Sequence, residues 1–253
     1  MIAAPQPACP SFCVIIPMFN EQSGAQECVT TVTAALRKLE NHTVLVVVND
    51  GSSDETGAIL RRLNPEPSSF KLLEHSTNQG YGAAIRTGIA FAVESGFDYS
   101  LFMDSDLTNE PSDLGRFAVE MKNDTDVIKA SRFVKGGGMR GVPWRRAMVS
   151  SLGNRVASML FSIGVHDCTN GFRAVKTSIL AQMQLSERGF PIIVEELYQS
   201  VFLAKTFAEI PVILTNRPDT LRLTSFTYDG TTIRKYLGYA LRAFVRLPPK
   251  TTA

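Results

Sequence analysis

Asp104-Ser105-Asp106 places two carboxylates one residue apart, directly after the apolar run Tyr99-Ser100-Leu101-Phe102-Met103. A continuing strand would put both on one face, and a loop would let them converge. Two hard oxygen ligands with the remaining positions open suit Mg²⁺ or Mn²⁺, which keeps substrate phosphates and waters as its other ligands. The same residues also read as a strand followed by an acidic cap, Asp106 or Asn109, of a helix that begins near Pro111. Three further groups carry chemistry. Asn49-Asp50-Gly51-Ser52 makes a turn after Thr43–Asn49, and Ser53 or Asp54 caps the next helix. Asp50 has no such duty and can accept a hydrogen bond from a ribose hydroxyl or a base N–H. Asn78-Gln79-Gly80-Tyr81-Gly82 opens a helix with N–H groups that favour phosphate, although it has neither Walker nor Rossmann spacing. Arg146 and Ser150, four apart, share a helix face that Asn154 extends. An Arg and a hydroxyl can clamp a phosphate, and a solvated helix face is the plain alternative.

These groups need a scaffold, and the first half of the chain supplies one. Short apolar runs at Cys13–Pro17, Thr43–Asn49, Phe70–Glu74, Ser100–Met103 and Asp126–Ala130 alternate with helical patterns near 22–40, 54–63, 81–94 and 112–122. Strands that are apolar throughout, alternating with helices, predict a doubly wound, mostly parallel α/β sheet with flanking helices. Ligands in such sheets bind beyond the carboxyl ends of the strands. The polar clusters fall there: Asn20-Glu21, Asn49 to Ser52, His75 to Gly80, Asp104 to Asp106, and Ser131-Arg132. The second half is less regular. Lys135–Gly141 reads as a flexible loop. A helix runs from about Trp144 to Ile163 with Val149, Leu152, Val156 and Met159 on its apolar face. Asp167–Arg173 reads as a polar loop, Val194–Lys205 as a helix and Phe207–Leu214 as a strand. The organisation expected is a disordered lead-in over 1–11, a single domain over 12–228, and an amphipathic basic helix and tail over 229–253.

The chain has 253 residues, enough for one large domain with a real core; 44% are hydrophobic and 20% charged, as in globular proteins. A net charge of +2 gives no argument for a nucleic-acid partner. Cys9, Cys13, Cys28 and Cys168 lack metal-ligand spacing and read as reduced thiols of a cytoplasmic protein. No apolar run approaches the roughly 18 residues of a spanning helix.

Val14-Ile-Ile-Pro-Met-Phe-Asn-Glu21, Val47-Val-Asn-Asp-Gly-Ser-Ser-Asp54, Asn78-Gln-Gly-Tyr-Gly82, Asp104-Ser-Asp106, Ser131-Arg-Phe-Val-Lys-Gly-Gly137 and Asp167-Cys-Thr-Asn-Gly-Phe-Arg173 occur in one order. Over residues 12–215 the chain resembles a family 2 glycosyltransferase of GT-A fold, within the dolichol-phosphate (polyprenyl-phosphate) mannose synthase group. The resemblance implies a nucleotide-diphosphate sugar donor, usually GDP-mannose, a divalent metal (Mg²⁺ or Mn²⁺), a polyprenyl or dolichyl phosphate acceptor, and inversion at the anomeric carbon. By position it implies that Pro17, Phe19, Asn20 and Glu21 line the nucleotide pocket with Asp50 near the base or ribose. Gln79, Gly80 and Arg86 border that pocket. Asp104 and Asp106 resemble the metal pair, and Arg132 the Arg facing phosphates and sugar, so that Asp106 and Arg132 head the catalytic residues. Arg146 and Ser150 sit at the offset of the acceptor-phosphate contacts. Glu195 stands where many alcohol-using relatives keep a base. Arg217 and Arg222 fall in a segment that often covers the site and contacts the diphosphate, here expanded and without its usual Gly. Thr108 and Asn170 also depart from the common pattern, which has Gln or Ser at the first position and often Ser at the second.

A polyprenyl monophosphate, with a second pKa of about 6, is already mostly dianionic at neutral pH and can attack without a protein base. The protein then has to position it, offset repulsion between two anionic substrates and stabilise the departing diphosphate. The other readings are a UDP-sugar donor (glucose or N-acetylhexosamine), an alcohol acceptor, a sugar-phosphate nucleotidyltransferase, and a non-catalytic nucleotide-sugar binder. A nucleotidyltransferase would show a Gly-rich first loop with a basic pair, which Met18-Phe19-Asn20-Glu21 is not. In the C-terminal segment Ile233, Tyr236, Leu237, Ala240, Leu241 and Phe244 share a face, with Lys235, Arg242 and Arg246 on another. That pattern suits packing on the domain, or peripheral attachment at the cytoplasmic face of a membrane directly or through an anchored partner.

Overall fold

The computed structural model describes residues 9–63, 68–215 and 230–249. Much of the lead-in, and Arg217 and Arg222, lie outside them. In chain order the elements are β1 (Phe12–Met18), α1 (Ala25–Leu36), β2 (Thr43–Asn49), α2 (Thr56–Arg62), β3 (Phe70–Glu74), α3 (Tyr81–Glu94), β4 (Tyr99–Phe102), a 3₁₀ turn (Pro111–Asp113) and α4 (Leu114–Lys122). There follow β5 (Val127–Ser131), β6 (Gly138–Met139), α5 (Trp144–Phe161), β7 (Arg173–Lys176), α6 (Thr177–Leu180), α7 (Ile192–Leu203), β8 (Phe207–Pro211), β9 (Ile213–Leu214) and α8 (Gly230–Phe244). Seven strands form one sheet in the order β3-β2-β1-β4-β7-β5-β8, and β6 pairs with β9 in a small second one. All pairings are parallel except the two made by β7, which runs antiparallel to β4 and β5. The predicted doubly wound, mostly parallel sheet in a single domain is the observed architecture.

The reason for the apolar strands is visible in their alternation. Phe12, Val14, Ile16 and Met18 of β1 enter one core with Cys28, Val29 and Val32 of α1 and Phe117 of α4. Cys13 and Ile15 enter the opposite core with Ala84, Ile85 and Ile89 of α3 and Ile192 of α7. A strand covered by helices on both faces has no solvent side to leave polar. A third cluster joins Phe161 of α5, Val194, Leu197 and Tyr198 of α7, and Ala240 and Ala243 of α8. No helix among the described residues is long and apolar enough to cross a membrane. The four cysteines are free.

Three sequence expectations need correction. Asp167–Arg173, read as a polar loop, ends one residue earlier, because Arg173 opens β7, a strand that inserts into the sheet. Lys135–Gly141 is not wholly a loop, because Gly138–Met139 pairs with Ile213–Leu214; the strand expected over 207–214 therefore splits at Val212 between two sheets. The side of α5 expected to be its packing face is exposed: Val149, Leu152 and Met159 are 53%, 63% and 64% accessible. The side that turns inward carries Ser150, Asn154 and Phe161.

A lysine is buried within the sheet, one strand in from its β8 edge. Lys129 of β5 is buried, and its Nζ donates to the carbonyl of Asn170 at 2.7 Å. Burial, reinforced by the Arg173 charge, pulls its ammonium down to about 8, with Asp167 and Glu196 opposing. Unfolded, the same lysine titrates near 10.5. Below about 8 both states hold the proton and the folded state bears the cost; between about 8 and 10.5 the unfolded chain binds more protons, so this group's contribution to stability rises with pH. In denaturant titrations from pH 7.5 to 10, the unfolding free energy of the wild type should rise relative to Lys129→Met. A difference that stays flat with pH would show that Lys129 carries no such strain.

Candidate functional site

A cavity of about 800 Å³ opens beyond the carboxyl ends of β1, β2 and β4. Pro17, Phe19, Glu21, Asp50, Gly80, Asp104, Asp106, Arg132, Arg146 and Ser150 all line it. The sheet topology explains the meeting. Parallel strands release their following loops at one edge, and β7, running the other way, delivers its preceding loop to that same edge. Thr169, Asn170 and Gly171 complete the wall there.

The two carboxylates after β4 are held differently. Asp106 Oδ1 accepts from the backbone N–H of Thr108 at 3.1 Å and from its hydroxyl at 2.8 Å. Thr108, a departure in the sequence pattern, thus orients Asp106 through a short local turn. Asp104 Oδ1 accepts from the Tyr81 hydroxyl at 3.2 Å. A Cβ at position 171 would stand 3.0 Å from Asp104 Oδ2, so Gly171 leaves the space that this carboxylate occupies. Among the described residues no cluster of three metal-type ligands occurs. Two carboxylates on a cavity wall fit Mg²⁺ or Mn²⁺ that draws its other ligands from a bound diphosphate, and they do not fit a metal held by protein alone.

Asp50 is buried, and its carboxylate has three hydrogen-bonding partners. Its Oδ1 accepts from the Gln79 N–H at 2.9 Å and lies 2.6 Å from His75 Nδ1; its Oδ2 accepts from the Gly80 N–H at 2.8 Å. His75 Nε2 lies 2.8 Å from the Thr87 hydroxyl. Asp50 therefore anchors the Gly80 turn as well as facing the cavity. Gly80 has φ +97°, and a Cβ there would lie 2.6 Å from the Arg188 carbonyl, so the turn requires glycine on both counts.

Arg132 lies against the buried Asp167, with Nε and Nη2 each donating at 2.7 Å to one carboxylate oxygen; Nη2 also reaches the Thr169 hydroxyl at 3.2 Å. Asp167 is itself held by Glu209, which accepts its N–H at 2.9 Å and sits 2.6 Å from His166 Nδ1. On α5 Asn154 is tied to Thr169, donating to its hydroxyl at 2.9 Å and accepting its N–H at 3.2 Å. That fixes the rotation of α5 and turns Arg146 and Ser150 toward the cavity.

Four residues implied as site residues are not part of the lining. Asn20, in the left-handed region at φ 54°, accepts the Ser53 N–H at 2.9 Å and clamps the loop after β1 to the loop after β2. Gln79 contributes its backbone N–H to Asp50. Arg86 donates to the Glu187 carbonyl at 2.7 Å. Glu195 is buried, and its carboxylate accepts the N–H groups of Ser186 and Glu187 and the Ser186 hydroxyl at 2.7–3.0 Å. All four build the loops that surround the ligand space.

Tyr81, Asn109, Thr169, Asn170, Arg188, Phe190 and Tyr236, none of them a site candidate from the sequence, also line the cavity. Asn109 Oδ1 and Asn170 Nδ2 are buried without a partner among the described residues. The Asn170 amide is oriented by its Oδ1, which accepts the Phe172 N–H at 3.0 Å. The departure at position 170 was the available signal for that residue. Segment 186–190 and α8 gave none, because their arrival at the cavity depends on tertiary packing: Lys235 pairs with Glu187 at 2.6 Å, and the Tyr239 hydroxyl donates to Glu187 at 3.1 Å.

The chain is similar to the polyprenol monophosphomannose synthase of Mycolicibacterium smegmatis, 29% identical over 208 residues that cover 81% of this chain and 77% of that protein. It is likewise similar to the undecaprenyl-phosphate mannosyltransferase of Micrococcus luteus, 29% identical over 206 residues covering 80% and 83%. The crystal structure of glucosyl-3-phosphoglycerate synthase from Mycobacterium tuberculosis, in complex with Mn²⁺, UDP and glucosyl-3-phosphoglycerate, superposes with a TM-score of 0.68 at 17% identity. The match covers 96% of this chain and 82% of that one, a likeness of fold. Residues 13–183, more than half of the chain, match the model of glycosyl transferase family 2; the chain belongs to that family and is a glycosyltransferase.

Proposed function

We propose that this enzyme transfers mannose from GDP-mannose to a polyprenyl or dolichyl monophosphate, with inversion, at a membrane surface. The observation that carries the reading is the division of charge around the cavity. Among the described lining residues the carboxylates are Glu21, Asp50, Asp104 and Asp106, on the loops after β1, β2 and β4, and the cations are Arg132, Arg146 and Arg188; no histidine lines it. Glu195, the candidate base, is engaged by Ser186 and Glu187. Such a wall suits an acceptor that arrives already ionised.

In this reading Pro17, Phe19, Glu21 and Asp50 hold the nucleoside, and Asp104 and Asp106 would hold Mg²⁺ or Mn²⁺. When bound, the metal would neutralise charge on the departing diphosphate. Arg132, fixed by Asp167, faces the phosphates and sugar. Arg146 and Ser150 bind the acceptor phosphate, whose oxygen attacks the anomeric carbon from the side opposite the leaving group. The sugar–diphosphate bond breaks as the new bond forms, and no proton needs to move. The names of the two mannosyl-transferring relatives support the choice of sugar and lipid.

The lipid end has a place to go. On α5, Arg146, Ser150 and Asn154 fall on one face, and Trp144, Met148, Leu152 and Met159 on the opposite one, between 57% and 68% exposed. On α8, Tyr236, Ala240 and Ala243 turn inward, leaving Ile233, Leu237, Leu241 and Phe244 exposed. The apolar face read from the sequence of α8 is thus divided. Exposed apolar stripes flanked by Arg145, Arg234 and Arg242 suit the interface of a membrane carrying anionic lipid.

A radiolabel transfer assay with a short polyprenyl phosphate should yield lipid-linked product from GDP-mannose in preference to UDP-glucose and UDP-N-acetylglucosamine. EDTA or Asp106→Ala should abolish it; product from none of the donors would refute the reading. Arg146→Ala should raise the acceptor KM by about tenfold or more while the donor KM changes little, as expected for loss of a charge-assisted contact of roughly 1.5–3 kcal/mol. Equal changes in both would remove Arg146 from the acceptor clamp. Trp144 is the sole tryptophan of the chain. Its fluorescence should shift to the blue on adding vesicles that contain phosphatidylglycerol, and an unchanged spectrum would argue against this face as the contact.

A further inference from the structure

Tyr81 opens α3 and lines the cavity, and no part of the transfer chemistry above uses it. Its ring stacks on Phe190, with centroids 4.6 Å apart and planes 26° from parallel. Its hydroxyl lies 3.2 Å from Asp104 Oδ1 and against the Arg173 guanidinium. Arg173 is itself immobile. It is fully buried, gives Nε and Nη2 to the two oxygens of Glu196 at 2.7 Å each, gives Nη1 to the Gly171 carbonyl at 2.8 Å, and lies 4.3 Å above the Phe102 ring.

We infer that Tyr81 is a positioning residue for Asp104. Held by Phe190 on its face and by Arg173 at its oxygen, it donates its O–H to Oδ1 and fixes the rotation of that carboxylate toward the metal and diphosphate. A carboxylate on a strand end turns readily about its last torsion, which is broad and roughly two-fold. An oriented donor on one oxygen selects a single setting. Gly171, beside Oδ2, keeps backbone bulk out of the same space. Removing such a partner of a metal ligand typically costs about 10–100-fold in metal affinity.

The inference rests on the metal role proposed for Asp104 and Asp106, and the test separates the two. Tyr81→Phe keeps the ring and its stack and deletes one oxygen. Mn²⁺ is titrated into the full chain with GDP present, and free Mn²⁺ is read by electron paramagnetic resonance, for the wild type, Tyr81→Phe and Asp106→Asn. Binding about 10–100-fold weaker in Tyr81→Phe, with a melting temperature close to that of the wild type, is the expected result. Weakened binding in Asp106→Asn together with wild-type binding in Tyr81→Phe overturns the role of Tyr81 and leaves the metal site standing. Unchanged binding in Asp106→Asn overturns the metal reading and this inference with it. Should Tyr81→Phe melt early, Phe190→Leu decides: it removes the stack and keeps the hydroxyl, and wild-type Mn²⁺ affinity in a stably folded Phe190→Leu would show that the held ring does not position Asp104.

Discussion

The fully buried ion pair between Arg173 and Glu196 is the interaction on which the site depends. Taking both charges out of water is expensive, and their attraction repays it only when geometry is good and the remaining donors are satisfied. Both conditions hold: two parallel 2.7 Å hydrogen bonds join the partners, and the third guanidinium nitrogen bonds the Gly171 carbonyl. Burial disfavours the Arg173 charge, and Glu196 more than compensates, so the guanidinium stays charged throughout. Loss of one partner of such a pair costs about 3–5 kcal/mol, because the other is left buried and alone. The pair joins α7 to the first residue of β7, and so fixes where the preceding loop, Asp167 to Gly171, must lie.

That loop touches nearly every functional arm. Asp167 holds Arg132, Thr169 holds α5 through Asn154, the Asn170 carbonyl takes the buried Lys129, and Gly171 makes room for Asp104. An all-parallel sheet could not bring it there. In a parallel sheet only the loops that follow strands reach the carboxyl edge, and a loop preceding a strand emerges at the far side. One antiparallel strand in the middle of the sheet reverses this for a single segment. The loops after β1, β2 and β4 and the loop before β7 then face each other across the cavity.

The alternation of apolar runs and amphipathic helices made the first half of the fold legible, because strands covered on both faces and helices covered on one obey different periodicities. β7 escaped notice because Arg173 and Lys176 bracket a two-residue apolar stretch, and nothing local says that Arg173 will find a buried carboxylate 23 residues later. The residues β6 and β9 are legible only as partners of each other. The α5 stripe was legible as apolar and misassigned in direction, since a hydrophobic face does not state whether protein or another apolar phase covers it. Among the candidate site residues, those placed by strand ends (Asp50, Asp104, Asp106, Arg132) do reach the cavity wall. Asn20, Arg86 and Glu195 have the same types in similar places, yet their partners are backbone groups of neighbouring loops. Side-chain type alone cannot distinguish a group that binds a ligand from one that shapes the loop beside it.

The electrostatics of the cavity follow from how its charges are anchored. Asp167 tethers Arg132 and neutralises part of its charge, so it serves as an oriented donor more than as a bare cation. The exposed start of α5 carries Arg145 and Arg146 with no acid in its first turn. Backbone N–H groups at that helix start add positive potential at the same place. In the proposed reading, an anionic acceptor phosphate near the start of α5 meets Arg145, Arg146 and these N–H groups, whereas a neutral alcohol would gain little from them. The proposal of an already ionised acceptor rests on this arrangement of charge and not on any single residue.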